Sequence, residues 1–310
     1  MAKLKELLLE KYGSFVVETL LNDKEEVLLD KSYNKESQNE VKAHLDLTVK
    51  NLLKDLPLEK MNIPYSHVKE EIKEGQVIFE KMAKGEAINW GMDFSSWLGN
   101  FSNPRKDIMI VGAEPNVGEN DFQLVYDFGS RSGEEYIESA RKFAKKEEDI
   151  WHTLTNLFVD DLENDNKVLE FLSRCYITDM CHIVPQKCGM IKGISKKLLI
   201  EQREWKKFRI AIAHKFLISE IFIIRPKLLI LHGAVSREFI RHYINGFRNP
   251  EIKISPRYNI RVGDWEIDED LTIKVIAIPH LKGSNKNVVW RNKETVAKAK
   301  QVITEIKTIL

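Results

Sequence analysis

The chain has 310 residues, of which 43% are hydrophobic and 31% are charged, which allows a sizeable buried core in one large domain or in one domain with a smaller one attached. Its formal net charge of +1 excludes binding to nucleic acid through a global positive field, so any DNA contact must come from a local basic patch. No stretch approaches the roughly twenty uninterrupted apolar residues of a membrane span, and we expect a soluble cytoplasmic protein without a membrane partner.

The amino-terminal part of the chain is rich in Lys, Glu and Leu and repeats its apolar residues at helical spacing. The pattern predicts one helical segment around residues 4–21, a second over residues 41–56 and a third over residues 68–82. We therefore divide the chain into a helical extension, residues 1–90, and an α/β domain, residues 91–310. The sequence leaves open whether the extension caps the main domain or forms a separate partner-binding module.

Four short runs of β-branched and aliphatic residues follow, with helical patterns between and after them. The runs are Ile108–Val111, Tyr176–Thr178, Leu228–Leu231 and Ile273–Ile278. They are apolar throughout, which is typical of parallel strands covered by helices on both faces. Helices are predicted over residues 201–224, 235–243 and 293–309. This order predicts a three-layer α/β/α fold with a central parallel four-stranded sheet, preceded by the helical extension.

In a parallel α/β sheet, ligands bind beyond the carboxyl ends of the strands. The segments that begin at Gly112, Asp179, Gly233 and His280 follow the four predicted strands, and we expect them to converge on one pocket. The first segment places Glu114 between a glycine that permits a tight turn and a proline that fixes the chain direction. Its carboxylate would therefore be held rigidly at the cleft.

A polar and basic loop follows His280. It contains Lys282, Ser284, Asn285 and Lys286, whose side chains are suitable donors to phosphate oxygens. Because His280 stands beside such a loop, we favour a role for it at a DNA-backbone site. The alternative is that it only makes a hydrogen bond within the fold.

The three cysteines are Cys175, Cys181 and Cys188. They are too few for a disulfide scaffold, and their spacing lacks the paired C-x-x-C arrangement that is typical of a tetrahedral metal site. We expect reduced, buried thiols and no metal site.

Taken in order, these segments resemble the uracil-DNA glycosylase superfamily from the first predicted strand to the end of the chain. Gly112, Glu114 and Pro115 match the glycine, the acid and the proline of the family's first motif. His280 matches the histidine of its second motif, an H-P-S-type loop, although Leu281 stands where proline is usual.

Two segments between these motifs add to the resemblance. The strand that runs into Asp179 is similar to the one that ends in the family's base-recognition asparagine, and the segment from Arg225 to Gly233 is similar to the family's R-P-K-strand-G segment. No cysteine precedes the first motif, so the ligands of the iron–sulfur cluster found in one branch of the superfamily are missing. We therefore expect no metal and no other cofactor.

The resemblance implies a DNA glycosylase that flips a pyrimidine out of the duplex and hydrolyses its glycosidic bond. It assigns catalysis to Glu114 and His280. It assigns base contacts to Asp179, Phe128, Asn116 and Ala113, and DNA contacts to Lys282, Ser284, Asn285 and Lys286. Phe128 lies about where the family places its stacking aromatic, and a plain core position for it stays open.

Two departures from the uracil-specific pattern predict the substrate. Asp179 replaces asparagine, and a carboxyl group suits cytosine better than uracil. Asn116 replaces the tyrosine that excludes a methyl group at C5, and it leaves room there. Together they favour a C5-modified cytosine, hydroxymethylated or glucosylated as in some phage DNA. We therefore expect a monofunctional, monomeric glycosylase of bacterial or phage-related source that acts on DNA in anti-phage defence.

Alternatives stay open at this point: a uracil-DNA glycosylase of base-excision repair, and a non-enzymatic reader of modified DNA. Lys282 or Lys286 could add strand cleavage through a Schiff base with the abasic sugar, although phosphate binding is the favoured role. An unrelated α/β hydrolase or nucleotide-binding protein is disfavoured, because the chain contains neither G-x-S-x-G nor G-x-x-x-x-G-K-[ST].

Overall fold

The structure is a computed structural model, and it describes part of the chain. The described residues are 2–12, 90–93, 106–112, 123–125, 141–142, 144–145, 150–185, 212–233, 252–281 and 289–307. The helices predicted over residues 41–56, 68–82 and 235–243 lie outside these ranges.

The described part of the chain contains helices at both ends and strands between them. Its α-helices are α1 (Ala2–Tyr12), α2 (Ile150–Phe158), α3 (Asp165–Ser173), α4 (Ile218–Ile224) and α5 (Lys293–Lys307). A π-helical turn, Ala213–Leu217, precedes α4, and a 3-10 turn, Val289–Arg291, precedes α5. The strands are β1 (Trp90–Asp93), β2 (Ile108–Gly112), β3 (Gln123–Val125), β4 (Cys175–Asp179), β5 (Ile183–Pro185), β6 (Leu228–His232), β7 (Ile252–Ser255), β8 (Tyr258–Asp268) and β9 (Leu271–Ile278).

Contacts group the chain into two compact units, each assembled from several separate segments. The first unit comprises residues 1–97, 114–126 and 179–223, and the second comprises residues 98–113, 127–178 and 224–310. The boundary expected near residue 90, between a helical extension and an α/β domain, stays a prediction.

The second unit is built around a sheet of six described strands in the order β4-β2-β6-β9-β8-β7. β2, β6 and β9 run parallel, with Ile108 opposite Leu228 and Leu228 opposite Lys274. β8 runs antiparallel to β9, and β7 runs antiparallel to β8. The predicted α/β class is confirmed, but the sheet is mixed and has two strands more than the four predicted parallel ones.

The parallel strands have apolar sequences because both of their faces are covered. All of β2 and the first four residues of β6 are buried. In β9, the run from Val275 to Ile278 is buried, whereas Leu271 and Thr272, which lie before the first residue paired with β6, are partly or fully exposed. The strands predicted from apolar runs are therefore those with both faces buried.

The apolar pattern does not predict β7 and β8, and their burial explains why. β8 buries Ile260 and Gly263 but exposes Asp264 and Glu266. A strand at the side of a sheet that leaves some positions in solvent has polar residues between its buried ones, and it shows no continuous apolar run. The sheet therefore extends beyond the strands that such runs indicate.

The closing helix begins where the sequence predicts it. Asn292 accepts a hydrogen bond from the backbone amide of Thr295 at 3.0 Å, and this side chain caps the first turn of α5. α5 packs against α2, and its buried aliphatic residues recur at helical spacing. These residues are Ala299, Val302, Ile303 and Ile306.

Two of the three cysteines lie in the described residues. Cys175 and Cys181 are buried and form no disulfide, which confirms the prediction for these two. Burial raises the pKa of the Cys175 thiol to about 12, so this group stays protonated and unreactive at neutral pH. Cys188 lies outside the described residues.

The first unit contains a small sheet in the order β3-β1-β5, in which β1 is parallel to β3 and antiparallel to β5. The helix predicted over residues 201–224 is described from residue 212 and ends at Ile224, as predicted. Arg225 then adopts a left-handed backbone with φ 50°, a common conformation just after a helix, and Pro226 follows.

α1 is tied to this helix by a buried ion pair. Lys11 Nζ lies 2.6 Å from Glu220 Oε1, and the two side chains are 1% and 0% exposed. Lys215 of the π-helical turn pairs with Glu10 of α1 at 2.7 Å, and Glu10 is 54% exposed. The backbone carbonyl of Lys11 also forms a hydrogen bond with His182 Nε2 at 2.9 Å. These contacts hold α1 onto the first unit.

Candidate active site

Two parallel strands of the second unit, β6 and β9, end side by side. His232, the last residue of β6, lies opposite Ile278, the last residue of β9. The Gly233 backbone amide donates a hydrogen bond to the Ile278 carbonyl at 3.0 Å. His280 follows two residues after Ile278, so the structure brings together Gly233 and His280, two of the predicted strand-end positions. This is the type of sheet edge at which α/β proteins bind ligands.

The His280 ring lies directly against Gly233. His280 is exposed, and a Cβ atom placed on Gly233 would lie 2.9 Å from His280 Cδ2. Gly233 also has φ +75°, a conformation that residues with a side chain rarely adopt. Both the backbone conformation and the close approach therefore require glycine here.

His232 supplies a second ring beside His280. The two ring centroids are 5.3 Å apart at an interplanar angle of 76°, an edge-to-face contact. Part of His232 reaches solvent, but its Nδ1 is shielded and makes no hydrogen bond within the described part of the chain. Burial, with a smaller contribution from His280, lowers the pKa of His232 to about 3. His232 is therefore neutral at pH 7.

Trp290 holds the backbone of His280, which lies ten residues earlier in the chain. Its indole Nε1 donates a hydrogen bond to the His280 carbonyl at 3.0 Å, and only 8% of the residue is exposed. This bond joins a residue that precedes the predicted phosphate-binding segment to a residue that follows it.

Asp179 is the last residue of β4, as the sequence predicts. The four residues before it are buried and Asp179 itself is half-buried, so the strand leaves the core at Asp179. Asp179 belongs to the first compact unit and His280 to the second. The predicted convergence of the two side chains on one pocket stays a prediction.

The first predicted motif begins at the end of β2. Val111 lies opposite Leu231 of β6, and the buried Gly112 ends the strand two residues before Glu114. Gly112 is thus at the same edge of the sheet as His232. The remaining predicted site residues lie outside the described residues: Ala113, Glu114, Asn116, Phe128, Lys282, Ser284, Asn285 and Lys286.

His232 is a candidate site residue that the sequence motifs did not predict. The signal was nevertheless present in the sequence. A polar residue ends the apolar run Leu228–Leu231, and it stands next to a glycine at the carboxyl end of a parallel strand. The same rule that selected Asp179 and His280 therefore also selects His232.

The described residues offer neither a metal-binding cluster nor a membrane-spanning helix. Among them, no group of three or more His, Cys, Asp or Glu side chains is placed to hold a metal ion. Within the same ranges, no helix has the length and apolar character needed to cross a bilayer.

A family model described as the uracil DNA glycosylase superfamily matches residues 100–304, which is more than half of the chain. The matched region includes Asp179, His232, Gly233 and His280. A comparison with curated proteins finds no match to this chain.

Proposed function

The chain belongs to the uracil DNA glycosylase superfamily, and on this basis we propose that it excises a C5-modified cytosine from DNA and leaves an abasic site. Membership in the superfamily implies a DNA glycosylase, a hydrolase that binds DNA. The target base, the roles of individual residues and a part in defence against phage are the proposal. The observation that carries it is Asp179, the half-buried last residue of β4, where uracil-specific relatives have asparagine.

A carboxyl group at this position suits uracil poorly. The uracil edge offers an acceptor at O4 and a donor at N3, and the amide of asparagine matches both. An ionised aspartate has only acceptors, so one of its oxygens would face O4 unfavourably. A protonated aspartate could imitate asparagine, but its ordinary pKa near 3.9 means that keeping it neutral at pH 7 costs about 4 kcal/mol unless burial helps.

Cytosine fits the same carboxyl group better. Its N4 amino group donates to one carboxylate oxygen, and its N3 can share a proton with the other. Sharing that proton draws negative charge away from the departing base, which helps the glycosidic bond to break. Uracil carries a proton on N3 already and gains nothing from this arrangement.

The residue type at position 116 supports a modified base. Asn116 stands where strict uracil enzymes place a tyrosine against C5, and its smaller side chain leaves room for a substituent. An enzyme that removed ordinary cytosine would damage the genome of its own host. A hydroxymethylated or glucosylated cytosine, as in some phage DNA, satisfies both constraints and makes defence the proposed role.

In the proposed reaction the bond between C1′ and the base nitrogen breaks, and its electron pair leaves with the base. Positive charge develops on the sugar and negative charge on the base, so the useful groups are an anion near C1′ and a donor near the base O2. Glu114 and His280 take these roles. Water adds to C1′, and its proton passes to Glu114 or to solvent.

Replacing Glu114 tests this assignment. We expect Glu114→Gln to fold normally, with an unchanged circular dichroism spectrum, and to lose about 10²- to 10⁴-fold in the single-turnover rate of base release, because the amide can neither take a proton nor carry negative charge. A rate equal to that of the unmodified protein would remove Glu114 from the mechanism.

The substrate is tested by base release from four matched duplexes that carry uracil, cytosine, 5-hydroxymethylcytosine or glucosylated 5-hydroxymethylcytosine at one position. We expect mass spectrometry to detect a free modified cytosine, and alkali to cleave only the strands that have lost it. Release of uracil alone would support a repair enzyme instead. Tight binding without release of any base would support a non-enzymatic reader.

Asp179→Asn is the matched variant for the same experiment. It restores the donor and the acceptor that uracil requires and removes the group that shares a proton with cytosine N3. We expect release of modified cytosine to fall at least tenfold and release of uracil to rise. A variant that keeps the substrate preference of the unmodified protein would contradict the proposed role of Asp179.

Strand cleavage separates the two proposed roles of the loop lysines. We expect the enzyme to be monofunctional, with Lys282 and Lys286 bound to phosphates, so that strands break only after alkali. Breaks without alkali that borohydride traps as a covalent adduct would instead assign one of the lysines to a Schiff base.

A further inference from the structure

The contacts around His280 assign a task to His232. We propose that His232 is a positioning residue: its ring, together with Gly233, holds the His280 imidazole in the orientation that base release requires. The reaction named here rests on the proposed function, whereas the contact itself does not.

His232 is suited to this task because its own position is fixed by the sheet. It is paired with Ile278 at the end of β6. The two strand residues before it, Ile230 and Leu231, are both 0% exposed. A ring attached to the end of such a closely packed strand has little freedom to move. The sheet therefore gives His280 a neighbour whose place does not change.

Two neighbours restrict the His280 side chain. Gly233 lies so close that a Cβ there would be 2.9 Å from His280 Cδ2, and the edge-to-face contact with His232 limits rotation of the imidazole. An exposed imidazole without such contacts would populate several rotamers, and each turnover would have to select one of them. A group that is held in place before the substrate arrives avoids that cost.

The neutrality of His232 matters for the chemistry of its neighbour. Because burial lowers the pKa of His232 to about 3, His232 adds no positive charge beside His280 at neutral pH. It can therefore orient the imidazole without opposing a positive charge on it. A lysine or arginine at this position would hold the ring less well and would repel such a charge.

The test compares two substitutions of His232 in the full chain. His232→Ala removes the ring, whereas His232→Phe keeps an aromatic edge and removes both nitrogens. On a duplex from which the unmodified protein releases a base, we expect His232→Ala to lower kcat about 10- to 100-fold with little change in KM, the size of effect seen when the partner that orients a metal-bound histidine is removed. We expect His232→Phe to recover most of that loss.

A measurement on His280 itself does not depend on base release. In protein labelled with ¹³C-histidine, the His280 ring signals are assigned by their loss in His280→Gln. We expect His232→Ala to shift these signals, because the ring current of residue 232 is lost, and His232→Phe to retain a ring-current shift. Circular dichroism checks that each variant folds. If His232→Ala does not fold, the unmodified protein is compared with His232→Phe instead.

The outcomes separate the two proposals. Unchanged His280 signals in His232→Ala, or shifted signals with an unchanged rate, would overturn the positioning role. A His232→Phe variant as slow as His232→Ala would also overturn it, because the aromatic edge would then not be what matters. If the unmodified protein releases no base from any duplex, the proposed function fails, while the His280 signals still decide whether His232 orients the ring.

Discussion

At the scale of one residue, the backbone conformation of Gly233 and its lack of a side chain determine where the His280 ring can lie. Its φ of +75° costs alanine about 1–2 kcal/mol, and a new Cβ would lie 2.9 Å from His280 Cδ2, so the ring must move. We expect Gly233→Ala to lower the free energy of unfolding by at least about 1 kcal/mol and to reduce kcat more than KM. Urea unfolding and base-release kinetics measure the two effects.

The double variant Gly233→Ala/His280→Ala separates the two causes. Removing the His280 ring relieves the close contact but leaves the backbone strain. The cost of Gly233→Ala should therefore be smaller when His280 is already alanine. Equal costs in both backgrounds would show that the contact does not restrain the ring.

Among the elements, α1 is held in part by a buried ion pair. Lys11 and Glu220 are 1% and 0% exposed, and removing one partner leaves the other charge buried without its counterion. We expect Lys11→Met to lower the free energy of unfolding of the first unit by about 3–5 kcal/mol. Hydrogen exchange of α1 amides and urea unfolding would measure the loss.

The neighbouring pair Lys215–Glu10 is the matched control, because it joins α1 to the π-helical turn before α4. Glu10 is 54% exposed, so solvent weakens this pair, and Lys215→Met should cost no more than about 1 kcal/mol. The double variant Lys11→Met/Glu220→Leu removes both buried charges and should recover much of the loss. Similar costs for the buried and the exposed pair would contradict this account of how α1 is held.

For the whole molecule, buried histidines predict sensitivity to acid. Burial lowers the pKa of His214 to about 4 and that of His232 to about 3, whereas both are near 6.5 when unfolded. The unfolded chain therefore binds protons at these histidines that the folded chain does not bind. Their contribution to the free energy of unfolding is complete above pH 6.5 and is lost as the pH falls towards 4 and 3. Each histidine should contribute a loss of about 1.4 kcal/mol per pH unit in that range.

Urea unfolding between pH 7.5 and pH 5 would measure this slope. In the described part of the chain, the carboxyl groups with lowered pKa are Asp165 and Glu294; their ordinary values are 3.8 and 4.5, so they act below this window. His214→Gln should flatten the slope by the contribution of one histidine, whatever it does to stability at pH 7.5. A slope that stays the same in this variant would show that His214 does not take up a proton on unfolding.

Much of the larger sheet could be predicted from the chain because strands buried on both faces must be apolar. β2, β4, β6 and β9 all contain predicted runs; Asp179 ends β4, and His280 follows β9 by two residues. The antiparallel β7 and β8 could not be found in the same way, since exposed polar residues such as Lys253, Asp264 and Glu266 interrupt their apolar runs. The small sheet of the first unit has strands of only three or four residues, too short for a pattern to repeat.

The amino-acid pattern alone was sufficient for the α/β class and for the polar residues that end the parallel strands, because these follow from local composition and order. The family was predicted from the resemblance of short motifs in the same order, and the family model confirms it. Packing decided what no local pattern contains: that Gly233 must lack a side chain because His280 lies against it, that His232 is neutral beside it, and that Lys11 meets Glu220. These are contacts between residues far apart in the chain, and their distance, burial and charge exist only once the strands and helices have come together.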